Sequence, residues 1–315
     1  MNFPLFPPAA STIAPQTDLL FIVLVAVSAL VLAVIFIPTI YFLIKYRRGR
    51  RVDRRMPELP SFKIEVTWTL ITLVIFLGLY AWASEVYLKI ETPPADALEL
   101  NVVGKQWMWK IEHPEGISEI DQLHIPIGQN VKLILASQDV IHSFFIPAFR
   151  VKEDVVPGRY TTEWFCATEP GTYHLFCSQY CGANHAQMIG QVIAMDPAAY
   201  QRWLTQKSPG VTLAQRGAKL FRDLGCSGCH MGNSIVHAPR LEGLYGKPVP
   251  LANGQVVVAD DTYIRDCILT PQLRVPGGYP PVMPTFQGHV TEDELFQLTA
   301  YIKSLATATV EGGQP

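Results

Sequence analysis

The longest apolar stretches of the chain are two uncharged runs near its N-terminus, Leu19 to Ile44 and Val66 to Ser84, the second bounded by Glu65 and Glu85. At 26 and 19 positions they match the ~20 residues that a helix needs to cross a bilayer. Lys45, Arg47, Arg48, Arg50, Arg51, Arg54 and Arg55 crowd the loop between them. The positive-inside rule puts that loop in the cytoplasm and both flanking segments outside, which predicts a two-pass helical hairpin over residues 18–90. No basic stretch precedes Asp18, so the first span reads as its own export signal rather than a cleaved peptide. Residues 1–17, rich in Pro and Ala, read as an irregular N-terminal segment.

Past Pro93 and Pro94 the pattern changes to short alternating runs, among them Leu98 to Val103, Val131 to Leu135, Tyr160 to Phe165 and Tyr173 to Phe176. Turn signals such as Pro157-Gly158 and Pro170-Gly171 separate them, which predicts strands. So many short strands over residues 91–206 pack naturally as an all-β Greek-key barrel or sandwich, closed by a helix over 196–206. Residues 207–211 read as a linker. A small helical domain follows over 212–315, with helices at 215–221, 262–269 and 292–305. The last has Thr291 as N-cap and Glu292, Asp293 and Glu294 in its first turn, favourable to the helix dipole.

A formal net charge of −2 gives no case for nucleic acid as a partner. Residues 91–206 carry thirteen Asp or Glu against seven Lys or Arg. Such a surplus either steers a cationic partner in a salt-dependent way or simply keeps the surface soluble.

Chemistry concentrates in Cys177-Ser-Gln179-Tyr-Cys181-Gly-Ala-Asn-His185-Ala-Gln-Met188. Two thiols, an imidazole and a thioether at this density suit a soft or borderline metal, and the methionine favours copper over zinc. A second motif, Cys226-Ser-Gly-Cys229-His230, has the C-x-x-C-H form of covalent haem c attachment; a C-x-x-C alone could be redox-active or zinc-binding, but the adjacent histidine and the downstream Met283 favour haem. Cys166 and Cys267 remain, and read as buried apolar side chains.

The spacing C-x3-C-x3-H-x2-M resembles the ligand loop of the binuclear copper centre, copper A, of haem–copper oxidase subunit II. His142, in Asp139-Val-Ile-His142, stands where that family has its other histidine. The resemblance implies a cupredoxin fold for 91–206. Cys177 and Cys181 would bridge two coppers, with His142 and Met188 completing one, and His185 and the backbone carbonyl of Gln179 the other. The commoner family residue at Gln179 is glutamate, whose carboxylate in many relatives reaches a magnesium ion shared with subunit I. An amide is a poorer ligand for that hard cation. Residues 212–315 resemble a class I cytochrome c. In that family His230 and a methionine on a Pro-rich loop, here Met283, are the axial ligands, and Pro239 and Leu241 match the loop on the histidine side. Methionine ligation raises the haem potential.

Gly104-Lys-Gln106-Trp107-Met-Trp109 resembles the family's aromatic segment near copper A, where the first tryptophan is the electron entry point; the plainer reading is two sheet aromatics alternating onto one face. Glu65 resembles the glutamate at the mouth of a proton channel of subunit I, or is an interfacial carboxylate without a role.

The whole arrangement is similar to subunit II of a caa-type cytochrome c oxidase, in a bacterial inner membrane with its soluble domains on the outer side. It implies electron flow from a cytochrome c or a respiratory-complex donor through haem c and copper A to subunit I. There oxygen is reduced to water with proton pumping, and subunit III is a further expected partner. Neither span carries a histidine set, so the oxygen site belongs to a partner. The alternative is a membrane-anchored copper and haem electron carrier outside an oxidase. A seven-residue tether from Gln206 to Thr212, as a flexible coil, spans about 15 Å and holds the haem domain at an effective concentration on the order of millimolar.

Overall fold

A computed structural model describes residues 6–55, 61–231 and 236–307. Two compact units emerge, residues 12–92 and the remainder of the chain. The first holds α1 (Ala14–Lys45) and α2 (Ser61–Glu91), of 32 and 31 residues. At ~1.5 Å per residue each exceeds the ~30 Å hydrocarbon core of a bilayer. Both are long and apolar enough to cross a membrane. Leu19, Ile37, Val74 and Phe76 stand exposed along them. Hydroxyls within the helices donate back to the preceding turn: Ser28 Oγ to Leu24 O at 2.8 Å, Thr39 Oγ1 to Ile35 O at 2.6 Å and Thr69 Oγ1 to Glu65 O at 2.8 Å. Donors that lipid could not satisfy are thus paired within the helix.

The second unit takes in part of the Pro- and Ala-rich N-terminal segment. Ala10 and Ser11 are buried. Ala10 donates its N–H to Ala148 O at 3.0 Å and accepts from Thr168 N at 2.9 Å, and Ser11 Oγ donates to Phe149 O at 2.8 Å. Residues 7–10 carry no regular structure, yet burial of this main chain requires partners, and the β domain supplies them.

That domain comprises β1 (Leu98–Lys105), β2 (Met108–Glu112), β3 (Ser118–Ile120), β4 (Gln122–Pro126), β5 (Asn130–Ser137), β6 (His142–Ile146), β7 (Val151–Val155), β8 (Thr161–Cys166), β9 (Gly171–Cys177) and β10 (Ile189–Met195). They form two five-stranded sheets, β3-β2-β1-β5-β8 and β4-β10-β9-β6-β7. The pairs β1–β5 and β4–β10 are parallel. Parallel neighbours cannot be joined by a hairpin, so the chain crosses over between them in the Greek-key manner. The sheets meet where β7 nears β8 and β2 nears β4, giving the cupredoxin-like sandwich. Leu100, Trp109, Ile111, Leu123, Leu133, Phe144 and Phe165 fill it, all fully buried. The closing helix α3 (Pro197–Lys207) packs Tyr200 and Leu204 against Ile117.

The last part holds α4 (Leu213–Asp223), α5 (Ser227–His230), a short antiparallel ribbon of β11 (Pro248–Pro250) and β12 (Val256–Val258), α6 (Asp261–Leu269) and α7 (Glu292–Thr307). The ribbon is an addition to the helical reading. Thr212 and Gln215 form a capping box at α4. Thr291 accepts from Glu294 N at 3.3 Å at the start of α7. Gly217 lets α4 and α7 cross main chain to main chain, since a Cβ there would lie 1.9 Å from Gln297 O. Phe221, Ile264, Ile268, Leu295, Leu298 and Ile302 form the core.

Residues 208–211, between α3 and α4, carry no regular structure, and beyond them the haem domain packs on the β sandwich. Leu213 N–H donates to Pro114 O at 3.1 Å and Arg216 Nη2 to Gly116 O at 2.8 Å. Phe296 of α7 is buried against Val103, Ile134 and Ala136 of the β sandwich and stacks on Tyr160 with ring centroids 4.9 Å apart. Arg265 of α6 donates to Gly158 O and to Glu292, both at 2.7 Å. Lys110 pairs with Asp293 at 2.9 Å, and Lys303 with Glu99 at 2.8 Å.

Candidate functional site

One end of the sheet β4-β10-β9-β6-β7 gathers the sulfur and imidazole donors. His142 begins β6, Cys177 ends β9, and the loop from there to Met188 holds Gln179, Cys181 and His185 before β10 starts. Cys177 pairs with Phe144 across β6 and β9, which fixes its distance from His142 along the neighbouring strand. The two Sγ atoms lie 3.8 Å apart. His142 Nδ1 is 4.0 Å from Cys177 Sγ, and Gln179 O is 3.3 Å from the same sulfur. His185 Nδ1 and Met188 Sδ lie 3.5 Å and 3.8 Å from Cys181 Sγ. His142, Cys177 and Cys181 offer donor atoms within 4.8 Å of one another. These three and Met188 are buried; His185 is half-buried.

Burial opposes ionisation of both thiols. Hydrogen bonds with His142 and with the Ser143 and Gln179 backbone prevail at Cys177 and hold it down to about 6. At Cys181 burial and the neighbouring Cys177 thiolate both push the thiol up. Two such sulfurs ionise together only beside a cation, and a thiolate, imidazole and thioether set is that of a soft metal. The donor set therefore fits copper. Asp139 Oδ1 accepts from His142 Nε2 at 2.8 Å, which leaves Nδ1 facing the sulfurs. Asp139 is in turn held by the N–H groups of Gln106 and Val140, each at 2.7 Å.

Trp107 and Trp109 do not share a face. Trp109, within β2, is fully buried, its ring centroid 5.8 Å from that of His142 and 5.0 Å from that of Phe144. Trp107 lies in the turn before the strand, where strand alternation does not apply, and its Nε1 donates to Cys181 O at 3.3 Å. Gln106 Nε2 donates to the same carbonyl at 2.7 Å. Sequence reasoning gave Gln106 no role, because nothing in its neighbours marks a side chain that reaches a loop 75 residues away. Glu65 lies near the start of α2, exposed, in the separate helical unit.

The second site is an apolar cleft lined by Phe221, Leu241, Ile264, Ile268, Leu298 and Ile302. Cys226, Cys229 and His230 enter from one side and Met283 from the Pro-rich loop. His230 Nδ1 donates to Pro239 O at 2.9 Å, fixing the tautomer and leaving Nε2 free to bind a metal. Two thiols, an imidazole and a thioether in one apolar cleft fit a covalently held haem. Met231 is exposed and does not line the cleft. Cys166 and Cys267 are free thiols, the first buried and the second half-buried in the cleft wall, where burial pushes it up to about 11.

Residues 116–195 match the family model of the cytochrome c oxidase subunit II periplasmic domain, and residues 214–306 that of cytochrome c. A cytochrome c oxidase subunit 2 of Alkalihalophilus pseudofirmus is 30% identical, covering 95% of this chain and 88% of that protein. An alternative cytochrome c oxidase subunit 2 of Bradyrhizobium diazoefficiens is 31% identical over 59% of this chain and 77% of that one. A solved periplasmic domain of cytochrome oxidase subunit II from Bradyrhizobium japonicum is 26% identical, covers 37% of this chain and 96% of that one, and has a TM-score of 0.36. Because the first of these relatives matches almost end to end, helices, sandwich and haem domain alike, this chain belongs to the cytochrome c oxidase subunit 2 family and is built for copper A and haem c.

Proposed function

We propose that the chain takes electrons from a cytochrome c or a membrane-bound respiratory complex and delivers them to subunit I of a proton-pumping oxidase. It would sit in a bacterial inner membrane as a two-pass protein with its soluble domains outside, beside subunits I and III. Copper A and haem c supply one-electron carriers when bound. The residues of the chain hold and shield them. Cys177 and Cys181 would bridge the copper pair. His142 and Met188 would complete one copper, and His185 and the Gln179 carbonyl the other. Asp139 keeps the His142 imidazole in one tautomer, and Gln106 and Trp107 hold the Cys181 carbonyl, so the ligand loop need not rearrange when charge changes. Cys226 and Cys229 would tether the haem, with His230 and Met283 axial. Trp107 at the copper loop would receive electrons from an outside donor, and Glu65 would stand at a proton-channel mouth of subunit I.

The observation that carries this reading is the convergence of both thiols, both imidazoles and the thioether around one 3.8 Å sulfur pair. Cys177→Ser should abolish the mixed-valence copper signal in electron paramagnetic resonance while covalent haem c stays. Persistence of the seven-line copper spectrum in that variant would overturn the ligand assignment. Copurification with a large haem-bearing subunit separates the oxidase from a free-standing carrier. A cysteine placed at Ser208 should label from outside intact cells.

A further inference from the structure

The helix α7 is a wall with two working faces. Leu295, Leu298 and Ile302 point into the haem-domain core, and Leu298 and Ile302 line the haem cleft itself. Phe296 leaves the same helix in the opposite direction and is buried against Val103 of β1. The next residue of β1 is Gly104. A side chain there would bring a Cβ to 3.1 Å from His142 Cδ2 and 3.0 Å from Trp109 Cζ3, so glycine lets the main chain pass close to the imidazole with no side chain between them. His142 Nδ1 faces Cys177. From the cleft wall to a copper-site imidazole, the path runs along the α7 main chain, across the buried Phe296–Val103 packing and along β1 to Gly104, where no side chain stands between main chain and ring.

We propose that the electron passes from haem c to copper A through this shared wall, by Phe296, Val103 and Gly104 to His142, and not by the tryptophan turn. One electron leaves the haem iron, which is oxidised, and enters the copper pair, which is reduced. No bond breaks and no proton moves. The docking contacts support the route: Lys110, Glu99, Val103 and Ile134 carry the haem domain on the outer face of the sheet β3-β2-β1-β5-β8, and Gly158 and Tyr160, in the connection that leads into β8, hold it from beside. Trp107 holds the Cys181 loop instead. Tyr160, though stacked on Phe296, has a buried hydroxyl without an acceptor and is held neutral well above the usual phenol range by burial and by Glu292. Its oxidation would strand a proton, so it packs the wall rather than relaying charge. The closely packed, solvent-free path also makes this internal step insensitive to ionic strength, unlike an encounter between separate charged partners.

The route rests on the ligand assignment proposed above, and the test separates the two. In the assembled oxidase, haem c is reduced by a light pulse and the haem c and copper A absorption bands are followed in time, with hydrogen exchange of β1 and α7 measured in parallel. Phe296→Ala and Val103→Ala should each slow the internal transfer several-fold while the copper and haem spectra stay native. Phe296→Leu, which refills the gap and preserves docking, should recover most of the rate. Altered copper or haem spectra across the Cys177→Ser and Met283→Ala variants test the ligands and leave the route aside. The route is overturned if Val103→Ala and Phe296→Ala keep the native rate with exchange protection intact, or if Trp107→Phe slows the internal step in their place. Should Phe296→Ala lose protection across the interface, Val103→Ala and Phe296→Leu decide the matter.

Discussion

Asp139 accepts a hydrogen bond from Nε2 of His142 at 2.8 Å, and this one contact turns Nδ1 of the same ring toward Cys177. Asp139→Ala frees the ring to rotate and to change tautomer. Outer partners of this kind are worth about 10–100-fold in metal affinity. Copper titration of the purified protein, followed by its visible bands, should show a loss in that range without loss of the β-sheet circular dichroism.

Gly217→Ala tests the crossing of α4 and α7. The added methyl meets Gln297 O at 1.9 Å and Tyr301 Cβ at 2.9 Å, both parts that cannot swing away. Overpacking of this kind costs about 1–3 kcal/mol, and more where main chain must move. Denaturant unfolding of the haem domain should show that loss, with the copper domain transition unmoved.

A pH prediction comes from Glu119. Burial works against its charge, but bonds from His113 at 2.8 Å, from the His124 ring and from His124 N–H at 3.1 Å outweigh it and hold the carboxyl at about 2. The folded value lies below the ordinary 4.5, so the stabilisation is complete above that value and is lost as pH falls toward 2. Glu119→Gln should cost on the order of 3 kcal/mol at neutral pH, and the gap to the native protein should close between pH 4.5 and 2. Denaturant midpoints across that range decide it.

Arg265 locks the two soluble domains. It donates to Gly158 O on one side and Glu292 on the other, and its guanidinium lies 5.4 Å from the Tyr160 ring centre. Arg265→Met leaves Glu292, nearly buried, without its cation. Removing one partner of a buried pair costs about 3–5 kcal/mol. Limited proteolysis between Lys207 and Thr212 should speed up accordingly.

Local chemistry was legible where the signal is itself local. Thr291 announces its helix because a capping hydroxyl acts within three residues, and the C-x3-C and C-x-x-C-H loops announce copper A and haem c because the donor side chains are neighbours in the chain. What stayed hidden depends on contacts between distant segments. Nothing near Phe296 in the sequence tells a haem-facing leucine from a residue that plugs another domain, since both are apolar positions of one helix. The acid surplus of the β domain read as surface charge, yet Glu112, Glu119 and Glu163 are buried and Glu99 bridges Lys132 and Lys303. Ala10 and Ser11 read as part of an irregular segment because small residues carry no pattern; their value lies in main-chain groups that any residue has, and in one serine hydroxyl.

The docked haem domain also limits how such a protein can be inherited in pieces. A stop codon after Lys207 would bare Val103, Ile134 and Ala136 on an open sheet face and leave Lys110 and Glu99 each short of a partner. The result would be a sticky strip rather than a smaller working subunit. Loss or exchange of the cytochrome module therefore demands simultaneous rewriting of β1, β2 and β5, and recombination that preserves function has to carry sheet and module together.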